Sequence, residues 1–130
     1  MTTPFWCLLI AILLPYVFAG LATYHKAKQF GSIDNHHPRA QAAALTGAGA
    51  RAYAAQQNAW EALPVFGFSV LVAHLAGVDA AAATTVSLIF AAARITHGVA
   101  YIADLAPLRS LAFGVGIVCC IRLFWLAAAA

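Results

Sequence analysis

The sequence predicts an all-α fold, an integral membrane four-helix bundle. Three observations carry this. Of 130 residues, 64% are hydrophobic and only 8% are charged. An ordinary soluble domain carries about 25% charged residues, so this chain has too little charge to cover a water-facing surface. Apolar segments at about 4–24, 51–77, 80–103 and 107–129 each supply the ~20 residues a membrane helix needs. Polar or turn-forming residues separate them. The length fits a single domain over residues 1–130.

Segment one, Pro4 to Tyr24, contains Pro15, which a membrane helix tolerates as a kink. No positive charge precedes Phe5 and the apolar run is long enough to span. That predicts a retained span rather than a cleaved signal. His25 to about Gly49 is the only long polar stretch, with Lys26, Lys28, Asp34, Asn35, Pro38 and Arg39. Its Ala/Gly-rich part, Ala40 to Ala50, is expected to start the second helix ahead of the bilayer. Segment two runs from Arg51 to Gly77 with a bend expected at Pro64. Gly77-Val78-Asp79 predicts a tight turn. Segment three, Ala80 to Ala103, leads through Leu105-Ala106 to Pro107, a residue suited to the first turn of the last helix.

The formal net charge of +3 reads as loop charge that sets orientation. Lys26, Lys28, Arg39 and Arg51 flank the first connection and Arg109 the third; the second has Asp79 and no cation. The positive-inside rule then places connections one and three in the cytoplasm and both termini outside. No Lys/Arg cluster is interleaved with aromatics, so no nucleic-acid partner is expected. Cys7, Cys119 and Cys120 read as small buried hydrophobes. His36-His37 is a loop pair without a third ligand at metal-site spacing, so no metal is expected. Arg122 reads as a cation snorkelling to the interface.

Two polar stripes interrupt the apolar pattern. In R-A-Y-A-A-Q-Q-N-A-W-E-A-L-P-V-F, residues 51–66, Arg51, Asn58 and Glu61 fall on one helical stripe. An ionised Glu near an Asn at membrane depth is costly unless both face protein, water or a ligand. In segment three, Arg94, His97, Tyr101 and Asp104 are spaced three, four and three apart and are expected on one face. Arg109 and Ser110 follow at the mouth of segment four. Both stripes lie toward the cytoplasmic end, which suggests one site. A Glu61–Arg94 ion pair is expected there, and both residues would face lipid unless a neighbouring copy covers them. A transport path is disfavoured, because the polar residues cluster at one end and the segments show no repeat relation.

The R-x-Y-x-x-Q-x-N-x-x-E-x-x-P-x-F pattern of segment two, with R-x-x-H-x-x-x-Y and P-L-R-S later, resembles the MAPEG family, membrane-associated proteins in eicosanoid and glutathione metabolism. The resemblance extends over essentially the whole chain. The Arg94, His97, Tyr101, Arg109, Ser110 set is most similar to the microsomal prostaglandin E synthase branch; Asp34, Asn35, Pro38 and Arg39 look like bacterial members, implying a bacterial inner membrane. The resemblance implies a homotrimer with glutathione bound between protomers near the cytoplasmic face. It puts Arg51, Asn58 and Glu61 in the glutathione-binding motif, with His97 and Tyr101 lining the pocket, and Lys26 matches a basic position ending helix one. Arg109 would stabilise the thiolate, with Ser110 beside it. The implied activity is a glutathione-dependent transferase or peroxidase acting on lipophilic electrophiles. The alternative is a non-catalytic lipid-binding or accessory subunit. The chemistry is coherent by itself: arginines suit glutathione's carboxylates, Glu61 suits its ammonium, and a guanidinium beside a thiol favours the thiolate.

Overall fold

The computed structural model describes residues Met1–Ala130. It is all-α, with five helices: α1 (Thr3–Phe30), α2 (Pro38–Ala43), α3 (Gly47–Leu75), α4 (Ala80–Ile102) and α5 (Ala106–Ala128). The four long helices pack side by side, α1 chiefly on α3 and α4 chiefly on α5, with α3 and α4 meeting between. By length and composition α1, α4 and α5 can cross a membrane. With 29 residues α3 is the longest helix, about 43 Å at 1.5 Å per residue, but its polar face leaves it less apolar than the others.

Two boundaries differ from the sequence reading. Helix α1 continues past Tyr24 to Phe30, because Lys26, Lys28 and Gln29 are good helix formers even where the chain has become polar. Ala40–Ala50 is not one helical lead-in: α2 stops and α3 starts afresh at Gly47. The break is held from α1. Gln29 donates to the Ala44 carbonyl at 3.2 Å and accepts from the Thr46 amide and hydroxyl at 3.0 and 3.2 Å. The loop before α2 is an Asx-type turn in which Asp34 accepts the His36 and His37 amides at 2.8 and 3.0 Å. Those amides hold the Asp34 carboxyl below the usual carboxylate range.

Helices α3 and α4 end alike. Val78 N–H bonds the Ala73 carbonyl and Gly77 N–H that of His74; Leu105 N–H bonds Ala100 and Asp104 N–H bonds Tyr101. Both are Schellman closures needing a left-handed residue. Gly77 (φ 77°) supplies it freely, whereas the second closure uses Asp104 (φ 63°), a residue that tolerates this region at some cost. Asp104 therefore lies beyond α4, mostly exposed, and leaves the face expected for it with Arg94, His97 and Tyr101.

The main core lies toward the end bearing the Gly77 turn. There Phe66 of α3 stacks flat on Phe90 of α4 at 3.7 Å, among Cys7, Ala11, Cys120 and Leu123. All three cysteines are free and buried, as their sequence context implied. Nearer the other end, Phe18 of α1 packs on Ala55 and Ala59. Its ring also lies against Gly98, where a Cβ would fall 1.9 Å from the ring tip. Gly98→Ala is therefore expected to destabilise the fold by about 1–2 kcal/mol, an overpacking cost, and Phe18→Leu should recover most of it. Equal unfolding midpoints for Gly98→Ala and the parent in a detergent titration would contradict this contact.

Candidate functional site

The two polar stripes meet through Asn58. Arg94, 4% exposed, lies about 12 Å inside the end of α4. Its Nη2 donates to the Asn58 side-chain Oδ1 at 2.7 Å and to the Asn58 carbonyl at 3.2 Å. Asn58 Nδ2 in turn donates to Glu61 Oε2 at 3.4 Å. The direct Glu61–Arg94 ion pair expected from the sequence does not form, because the Asn58 amide stands between them as a relay. Arg94 is enclosed within its own protomer by α3 and α5, contrary to the expectation that it faces outward; only Glu61 is exposed. Of the Arg94 nitrogens, only Nη2 makes hydrogen bonds, which leaves donors for a ligand.

These residues line a pocket of about 190 Å³ between α3, α4 and α5. Val65, Phe90, Phe113, Gly116, Ile117 and Cys120 complete its wall, and the exposed Glu61, Val65 and Ile117 stand at its rim. The Arg94 stem lies against α5 at Gly116, where a Cβ would sit at ordinary contact distance, 3.5 Å from Arg94 Cδ. Pro64 lies one turn beyond the relay inside α3 and denies the Trp60 carbonyl its usual helical donor.

Beside the pocket, Phe113 connects to a second group. His97, 3% exposed, has Phe113 at 6.2 Å and Tyr101 edge-on at 5.6 Å between ring centroids. The Arg109 guanidinium sits over the Tyr101 ring, 4.6 Å from its centroid, a cation–π contact. Arg109, Tyr101, His97 and Phe113 thus form a continuous stack from the start of α5 to the pocket wall. No His97 nitrogen takes a hydrogen bond from or gives one to the protein.

Three expected site residues lie apart. Arg51 donates through Nε to the Ile102 carbonyl at 3.0 Å and approaches Asp104 at 3.6 Å, clasping the α4–α5 turn. Lys26, 8% exposed, donates to the Pro38 carbonyl at 2.8 Å and lines a separate cleft with Arg39, Tyr53 and Gln56. Ser110 is exposed and lines a groove on the far side of α5 from Arg109. Phe113, Gly116 and Cys120 escaped the sequence reading. They continue from Arg109 at spacings of four, three and four, a helical stripe that would have found them.

Long apolar helices, three of them fit to cross a membrane, together with a charge-bearing pocket between α3, α4 and α5, define a helical membrane protein with a lateral polar site. The MAPEG family model matches residues 3–129, and the chain belongs to that family. Comparison with curated proteins gives no match.

Proposed function

We propose that this protein is a glutathione-dependent transferase or peroxidase for lipophilic electrophiles, working as a homotrimer in a bacterial inner membrane. The observation that carries the reading is the Arg94–Asn58–Glu61 relay at the wall of a pocket that also adjoins the Arg109 stack. It offers guanidinium donors for a carboxylate, a carboxylate for an ammonium, and a second guanidinium for a thiolate. Alone, the pocket's ~190 Å³ falls below the ~300–1,000 Å³ of small-molecule sites. A second copy laid over the exposed Glu61 and Ile117 would enlarge it into a closed site and cover the exposed carboxylate. In this reading α3 is the fourth span, tolerated in lipid because its polar face turns to the pocket and the neighbour. The cationic loop ends support a site near the cytoplasm with the termini outside, and the Arg94, His97, Tyr101, Arg109, Ser110 set supports an activity like that of the prostaglandin E synthase branch.

The alternative, a non-catalytic lipid-binding or accessory subunit, has one observation in its favour. Arg51 and Lys26, expected to contact glutathione, are both engaged by carbonyls of their own chain. Ligand stabilisation separates the readings, because a molecule that binds only the folded state raises its melting temperature. Glutathione at 100 times its Kd is expected to add about 2.7 kcal/mol. A melting temperature unmoved by millimolar glutathione and by other low-molecular-mass thiols would leave the non-catalytic reading standing.

A further inference from the structure

Arg122 is a cation among apolar side chains with no hydrogen bond and no acid of its own. Each of the chain's acids is engaged elsewhere: Asp34 with the His36 and His37 amides, Glu61 with Asn58, Asp79 with the Ala82 amide that it caps, and Asp104 with Arg51. Arg122 is exposed and stands at one end of a groove of about 520 Å³ between α4 and α5, with Ser110 at the other. The groove floor is apolar, formed by residues such as Ile89, Gly114 and Val118. The groove is open in front of Gly114, where a Cβ would meet nothing within 4 Å.

The dimensions suit one leaflet of a bilayer. Ser110 to Arg122 is about 18 Å along α5, more than half of a ~30 Å hydrocarbon core. Arg122 lies about 9 Å from the helix end at Ala128, within snorkelling reach of the headgroup level. A guanidinium there presents a planar fork that fits a phosphate in bidentate fashion. The groove holds no carboxylate to receive a headgroup ammonium, so an anionic headgroup fits it better than a zwitterionic one. We propose that the α4–α5 groove holds one anionic glycerophospholipid, its phosphate on Arg122 and an acyl chain along Ile89, Gly114 and Val118. The lipid comes from the leaflet at the Asp79 turn. This site is on the opposite side of α5 from the Arg94 pocket and stands independently of the glutathione reading.

The test is lipid retention in native mass spectrometry. The full chain is released from nanodiscs of equal phosphatidylglycerol and phosphatidylethanolamine, and the lipids that stay bound are counted. The parent should retain phosphatidylglycerol preferentially. Arg122→Gln should lower its retention about tenfold, the scale of losing hydrogen bonds to a charged group, and lower that of phosphatidylethanolamine, whose ammonium already weakens its hold, much less. Gly114→Leu should displace the lipid whatever its headgroup, by filling the groove from a position where the added Cβ meets no other atom within 4 Å. Val118→Trp, from an exposed position in the same groove, gives the same readout if Gly114→Leu yields poorly. An Arg122→Gln ratio of the two lipids within twofold of the parent overturns the proposal. So does undiminished retention in the groove-filling variants.

Discussion

Arg109→Ala is expected, on the proposed transferase reading, to lower the turnover of glutathione conjugation at pH 7 by ~10- to 1000-fold, the usual cost of losing one electrostatic stabiliser of developing charge. The reasoning starts from placement. Arg109 is half-buried on the first turn of α5 and held over the Tyr101 ring rather than paired with an acid. Its charge is therefore uncompensated within the protomer and available to a thiolate. Glu61→Gln should behave differently. Glu61 is exposed at the pocket rim, bonded only to Asn58, and suited to a substrate ammonium, so its loss removes binding made equally in ground and transition states. It should raise the glutathione concentration needed for half-maximal rate with little change in kcat. Titrating the ultraviolet absorbance of the bound thiolate distinguishes the roles. A bound-thiol pKa that does not move in Arg109→Ala would refute the assigned role, and identical kinetic signatures for the two variants would refute the division of labour.

Asn58→Leu is expected to cost about 3 kcal/mol of stability. Arg94 is nearly sequestered, and Asn58 Oδ1 is its closest partner at 2.7 Å. Replacing the amide by an alkyl group of similar size leaves the guanidinium among Phe90, Gly116 and Cys120 with only the Asn58 backbone carbonyl at 3.2 Å, and an enclosed charge deprived of its closest partner is strongly destabilising. Arg94→Met should be far milder, because charge and partner demand disappear together and the methionine refills the space. The double variant should then resemble Arg94→Met alone. Denaturation by SDS with a fluorescence readout measures all three. Additive losses in the double variant would mean that Asn58 stabilises the fold through something other than Arg94.

The elements legible in the sequence are those with a local cause. Apolar runs, Pro107 in the first turn of α5 and the Gly77-Val78-Asp79 turn are written in neighbouring residues, and each appears where its chemistry requires. The nearness of the segment-two and segment-three stripes was also readable from their shared membrane depth, although the partner of Arg94 is Asn58 rather than the Glu61 expected. What escaped depends on partners distant in the chain. The α2–α3 break is held by Gln29 reaching across to Ala44 and Thr46, and its local sign is only the Thr46-Gly47 pair, with Gly47 in the left-handed region at φ 54°. Asp104 leaves α4 although its spacing matches the stripe, because the helix closes with an aspartate in the place where glycine is the usual sign. The Glu61–Arg94 pairing failed by one helical turn: Asn58 is the residue level with the guanidinium, and spacing within a helix does not reveal register between helices.

The relay also sets an order in time. A ribosome delivers α3 before α4, so Asn58 and Glu61 emerge before Arg94, Asn58 by 36 residues. Helix α3 is also the long helix whose composition does not by itself suffice for a membrane. Until Arg94 arrives, its amide and carboxylate have only water or the headgroup region to satisfy them, since bare lipid offers no partner. The short turn after Leu75 brings that partner back antiparallel as soon as it is made. With α3 as the proposed fourth span, biogenesis favours α3 and α4 entering the bilayer together, as a hairpin in which the Arg94 guanidinium and the Asn58 amide satisfy one another.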